Sequence, residues 1–168
     1  MKNIKRSSLA FGLVFFIILG SYLAIHSRFT SGFDLTSSYS VSFKISEANY
    51  GDFDQDSLED DIRVKAILRS NFVGPMLTFF YFDLTLPSGT IYSYSFQVAL
   101  ISDGSQIYIT ITSFKTATEA GWYKAKLVGV FICDDYLIVR TTSTIFDPPT
   151  ETGFPGDPGI DLTITYTN

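Results

Sequence analysis

Gln106-Ile107-Tyr108-Ile109-Thr110-Ile111-Thr112 decides the class of this chain. Its β-branched residues and its period-two pattern are those of a strand with its side chains on two opposite faces. Working upstream, Ser102-Asp103-Gly104-Ser105 reads as a turn, and Ile91 to Ile101 as the strand before it. Pro87-Ser88-Gly89-Thr90 is a hairpin turn by its residue types. Leu77 to Leu86 is the next strand back, with an aromatic run at Phe79-Phe80-Tyr81-Phe82, and Asn71 to Pro75 forms a turn ahead of it. Ile62-Arg63-Val64-Lys65-Ala66-Ile67 and Tyr39-Ser40-Val41-Ser42-Phe43-Lys44-Ile45 alternate in the same way. Downstream, Trp122 to Cys133 and Leu137 to Thr144 form a hairpin joined at Asp134-Asp135. About seven evenly spaced strands predict an all-β, antiparallel sandwich over residues 39–146, a small barrel being the other way to close them.

Composition agrees. Aromatic residues make up 16% of the 168, with ten Tyr and sixteen Phe, as half-buried pleated surfaces favour. The net charge is −5 and the basic residues form no stripe, which argues against a nucleic-acid partner. Cys133 is the single cysteine, so no intramolecular disulfide can form, and Cys133 is expected to pack as a small apolar residue. The single histidine, His26, ends the apolar N-terminal segment and is expected to flank an interface, without a catalytic role.

That segment fixes the compartment. Lys2, Lys5 and Arg6 precede an almost wholly apolar run from Leu9 to Ile25, the pattern of an export signal with positive charge kept inside. The run is long for a cleaved signal, and Ala24-Ile25-His26 lacks the small-residue cleavage pattern. Residues 1–27 are therefore read as one hydrophobic signal-anchor helix in the cell membrane, followed by a polar stalk at 28–38 and an extracellular domain. A cleaved signal and a secreted domain is the other reading. Residues 147–168 form a tail: Asp147-Pro148-Pro149 stops the last strand, 150–159 are rich in Pro and Gly, and Ile160 to Tyr166 alternates once more. That final strand has three options: an open sheet edge of its own chain, a frayed end, or a neighbouring molecule.

Between the first two strands lies Gly51-Asp52-Phe53-Asp54-Gln55-Asp56-Ser57-Leu58-Glu59-Asp60-Asp61. Carboxylates at alternate positions of a tight loop point at one centre, and their repulsion calls for a cation. Ca²⁺, which takes six to eight hard oxygen ligands, suits that set better than Mg²⁺. The loop is similar to the calcium loops of integrin-type and bacterial repeat proteins, G-D-x-D-x-D-G-x-x-D-D running into a strand. Gly51, Asp52, Asp54, Asp56, Asp60 and Asp61 match, and Ser57 stands where that family has Gly. Chemistry and resemblance together imply that Asp52, Asp54 and Asp56 give side-chain oxygens, Leu58 its carbonyl, and Asp60 the closing ligand. Asp61 or Glu59 is expected outside the first ligand shell. Position twelve is Arg63 instead of the bidentate Glu of an EF-hand.

Glu119-Ala120-Gly121-Trp122-Tyr123-Lys124-Ala125 resembles the corner before the penultimate strand of immunoglobulin domains. The resemblance implies that Tyr123 turns inward and its hydroxyl caps a backbone group, with Glu119 and Gly121 shaping the corner. Ala125 replaces that family's Cys. Trp122 is expected to face away from Tyr123 and to pack beneath a loop. No histidine other than His26, no nucleophile motif and no phosphate loop accompany the carboxylates, so a binding role is expected in place of catalysis. The expected function is adhesion, envelope assembly or ligand display, with the membrane and a protein or glycan surface as partners. The alternative is a subunit of an extracellular filament that pairs through the C-terminal strand.

Overall fold

The computed structural model describes residues 39–146 and 158–167. The signal-anchor, the stalk and the Pro/Gly-rich stretch lie outside the described residues. Among those described, no helix is long and apolar enough to cross a membrane.

Among the described residues, eight strands form two antiparallel four-stranded sheets. They are β1 (Val41–Gly51), β2 (Asp61–Ser70), β3 (Val73–Thr85), β4 (Ile91–Asp103), β5 (Gln106–Phe114), β6 (Tyr123–Cys133), β7 (Tyr136–Phe146) and β8 (Gly159–Tyr166). One sheet runs β1-β2-β5-β8 and the other β4-β3-β6-β7. The inward residues of both sheets make one core, as period-two alternation requires. Ile62, Val64, Ala66 and Leu68 of β2 face Phe80, Phe82 and Leu84 of β3 in that core, all at most 1% exposed.

Two departures from the sequence reading have local causes, and the structure selects one of the three options for the tail strand. β1 does not stop at Ile45. A bulge between Ile45 and Glu47 shifts the register, and the strand continues to Gly51 on the other alternation phase. Pro75 is not in a turn but inside β3, opposite Ile101. Pairing of β3 with β6 starts only at Leu77, so the missing N–H of Pro75 faces an unpaired stretch. The tail strand is an eighth strand, β8, which pairs with β5 of its own chain from Ile107–Tyr166 to Phe114–Gly159.

The centre of the core is an aromatic triad. Phe43 lies 5.6 Å from both Phe80 and Phe131, centroid to centroid, and the Phe80–Phe131 separation is 6.1 Å. Gly129, paired with Phe80 on β3, makes room for it. A Cβ there would stand 2.5 Å from Cζ of Phe131 and 3.2 Å from Cε1 of Phe43. Gly129→Ala is therefore expected to overpack the triad and cost about 1–2 kcal/mol, read from a urea unfolding curve.

The sandwich closes at one margin only. Arg140 Nε of β7 donates to Val41 O at 2.8 Å, and Ile45 N donates to Thr142 Oγ1 at 3.2 Å. Edge groups of β1 are thus used by side chains of the opposite sheet. At the other margin, among the described residues, Ile101 N of β4 donates to Tyr166 Oη of β8 at 3.4 Å.

Candidate metal centre

The acidic loop spans the step from β1 to β2 at one end of the first sheet. Its backbone is held by its own carboxylates. Asp56 N donates to Asp52 Oδ1 and to Asp54 Oδ1, each at 3.1 Å, and Ser57 N donates to Asp52 Oδ2 at 3.0 Å. These bonds curl the chain tightly enough to put Gln55 and Ser57 in the left-handed region, at φ 64° and 75°. Ser57 thus adopts the backbone conformation for which the similar loops use Gly, at a cost of roughly 1 kcal/mol for an L-residue.

Asp52, Asp54 and Asp61 converge: one carboxylate oxygen of each lies within 4.8 Å of the others. At that spacing each like-charged pair repels by about 1 kcal/mol in water and by about 3 at a protein surface. The loop's backbone hydrogen bonds to its carboxylates, each about 1 kcal/mol net or more, offset repulsion of that order. A cation between them reverses the sign.

Asp61 is the most heavily bonded carboxylate of the cluster. It is fully buried, so it is not a solvent carboxylate. Its Oδ2 accepts Phe53 N at 2.8 Å and Asp54 N at 3.0 Å, and its Oδ1 accepts Lys115 N at 3.0 Å. One carboxylate therefore fastens the acidic loop to the β5–β6 connection. Main-chain bonds reinforce the junction: Thr116 N and Ala117 N both donate to Asp60 O, at 2.8 and 2.7 Å. Sequence spacing could not supply this, because Lys115 arrives from 54 residues away.

Asp60 is 1% exposed, and neither of its carboxylate oxygens has a hydrogen-bond partner among the described residues. Burial, then the negative charges of Asp61, Asp56 and Asp54, raise its pKa, while Lys115 opposes them. A buried, unpartnered carboxylate beside three others is costly unless something positive meets it. The donor set, all hard oxygens, suits Ca²⁺.

The other expected ligands stand differently. Asp56 is turned to its own loop and to a lysine: Oδ1 accepts Leu58 N at 2.9 Å, and Oδ2 is 3.4 Å from Lys115 Nζ. That exposed ion pair contributes at most about 1 kcal/mol. Leu58 is 37% exposed and lies on the loop's rim. Of the expected set, Asp52 and Asp54 meet at the centre, and Asp61 joins them in place of Asp56. Phe53 folds back beneath Arg63, whose Cζ is 3.6 Å from the ring centroid, which closes one side of the loop.

The corner at 119–125 forms a second cluster. Tyr123 is fully buried at the start of β6, and its hydroxyl accepts Glu119 N and donates to Glu119 O, both at 2.8 Å. The Glu119 carboxylate accepts Ser88 N and Ser88 Oγ, each at 2.7 Å, tying the β3–β4 turn to the corner. Gly121 has φ 124°, and a Cβ there would meet Pro87. Tyr123→Phe is expected to cost about 1–2 kcal/mol in the unfolding free energy, because two backbone groups lose their partner. Trp122 points outward as expected, but it is 65% exposed instead of packed under a loop. Cys133 is fully buried and burial pushes its thiol up, so it behaves as core.

No protein-family model matches this sequence, and no curated protein or solved structure matches it.

Proposed function

We propose that this chain is an exported, membrane-anchored immunoglobulin-like domain whose β1–β2 loop binds one structural Ca²⁺, and that it serves adhesion, envelope assembly or ligand display at the cell surface. The observation that carries the metal is the convergence of Asp52, Asp54 and Asp61, and the nearby Asp60, buried with both oxygens unpartnered among the described residues, adds to the uncompensated charge. Asp52, Asp54, Asp60 and Asp61 would hold the ion, with Asp56 at the rim. The ion's task is mechanical: it neutralises the loop and fixes it to the β5–β6 connection through Asp61.

Two features support the immunoglobulin-like reading. Strands β1, β2 and β5 share one sheet, and β3, β6 and β7 the other, the partition of the A, B, E and C, F, G strands. The Tyr123 hydroxyl bonds back to Glu119 as in a tyrosine corner. Export rests on the basic lead at Lys2, Lys5 and Arg6 and the apolar run after it. Outside the cell, calcium is abundant enough to fill a site of modest affinity. A surface-binding role fits better than catalysis, because the chain's carboxylates have no histidine or activated nucleophile beside them among the described residues.

The test is a melting curve of the full chain in detergent, with millimolar Ca²⁺ and with chelator. For a Kd near 10⁻⁴ M, calcium is expected to stabilise by about 1.4 kcal/mol, a shift of roughly 4–6 °C. Asp52→Asn with Asp54→Asn should abolish the shift. An unchanged melting temperature in chelator sinks the metal reading.

A further inference from the structure

We propose that β4 is a self-pairing edge, and that two copies of this chain join β4 to β4, antiparallel, across a two-fold axis at Ser95. The four edges of the two sheets are not equivalent. β1 is bulged and its edge groups are met by Arg140 and Thr142 of β7. β8 is eight residues long and carries Asp161. β4 has thirteen residues, an unbroken register on β3, and neither proline nor glycine. It bears no charge from Ile91 to Ser102. Native edges are ordinarily protected by charge, proline, bulges or brevity, and β4 has none of these before its terminal Asp103.

The backbone supplies the register. Ile101 sits opposite Pro75, which has no N–H to give, and Ile101 N donates outward to Tyr166 Oη. Odd-numbered residues of β4 therefore aim their N–H and C=O away from β3, since these groups alternate along a strand. With Ile101 taken by Tyr166, the outward set is 91, 93, 95, 97 and 99. Its midpoint is Ser95. Antiparallel pairing about that residue sets Ser95 against Ser95, Ser93 against Gln97, and Ile91 against Ala99, all exposed.

A second copy is the occupant that this edge suits. A two-fold seam lays each residue near its own copy, so a charged strand in a chain of net charge −5 would meet like charge. An uncharged strand does not. Pairing would satisfy the outward amides and bury Ile91, now 58% exposed, while merging two β4-β3-β6-β7 sheets into one of eight strands.

The test uses the full chain in mild detergent. Ser95→Cys under a mild oxidant is expected to give a covalent product of twice the chain mass. The unaltered chain, whose Cys133 is buried, should give none, nor should Thr163→Cys on β8. Ser95→Lys places two ammonium groups across the axis and should weaken dimerisation at least about tenfold in sedimentation equilibrium, with an unchanged melting curve. Should the lysine disturb melting, Gln97→Lys on the same exposed face replaces it. A chain that stays monomeric over the accessible concentration range overturns the proposal. So does cross-linking at Thr163→Cys in place of Ser95→Cys, a dimer indifferent to both lysines, or a Ser95→Cys adduct with a different protein.

Discussion

Asp61→Ala is expected to lower the stability of the domain by about 3–5 kcal/mol, read as a fall in the urea midpoint at constant slope. The side chain is fully buried and accepts three backbone N–H groups, from Phe53, Asp54 and Lys115. Bonds to a carboxylate are stronger than neutral ones, and alanine leaves all three donors without their acceptor. The measurement belongs in chelator, where loss of a cation ligand cannot contribute. Asp61→Asn is the companion: it keeps the volume and one acceptor oxygen, and about half the loss should remain. A loss under about 1 kcal/mol for alanine would mean that water takes over the three donors, and that the junction with the β5–β6 connection is not held by this side chain.

Asp60→Asn should change sign with the solution. In chelator the native carboxylate is buried with both oxygens unpartnered, and its neighbours Asp61, Asp56 and Asp54 oppose its charge. A neutral amide of the same shape removes that repulsion, so the variant should be more stable than the native chain by on the order of 1 kcal/mol. In calcium the native chain gains a ligand that the variant lacks, and the order should reverse by a similar amount. The swing between conditions, about 2–3 kcal/mol, is the quantity to measure, by paired melting curves. A variant less stable than the native chain by the same margin in both solutions would make Asp60 a packing residue and take it out of the proposed ligand set.

Much of the fold was legible because alternation is a local signal. β5 and β6 stand where period two and their flanking turns place them, and Gly89 and Gly104 take positive φ in the turns read from residue type. Legibility failed where the decisive partner was remote. β1 outruns Ile45 because a bulge resets its phase, and the residues after the bulge are paired by β2. Pro75 fits inside β3 only because β6 starts pairing at Leu77. Neither fact is written in the local sequence. At the acidic loop alternation picks out Asp52 and Asp54, which converge with Asp61 into a group that could hold a metal ion. The third alternate carboxylate, Asp56, is drawn aside by Lys115, and Asp61 takes its place because the β5–β6 connection presents an amide to it. Spacing along the chain counts carboxylates, and it cannot see a backbone donor brought in from 54 residues away.

The ladders also set a polarity for the domain. Val41 pairs with Ser70, Arg69 with Gln106, and Ile107 with Tyr166, so the first and last strands of that sheet meet their outer ends at one pole. Gly51, Asp61, Ser113 and Gly159 mark the other. Val41 and Tyr166 lie at the same pole, and the acidic loop crowns the opposite one, roughly 30 Å away along a ten-residue strand. A label placed at Val41 or Tyr166 would thus report on the pole farthest from the carboxylates.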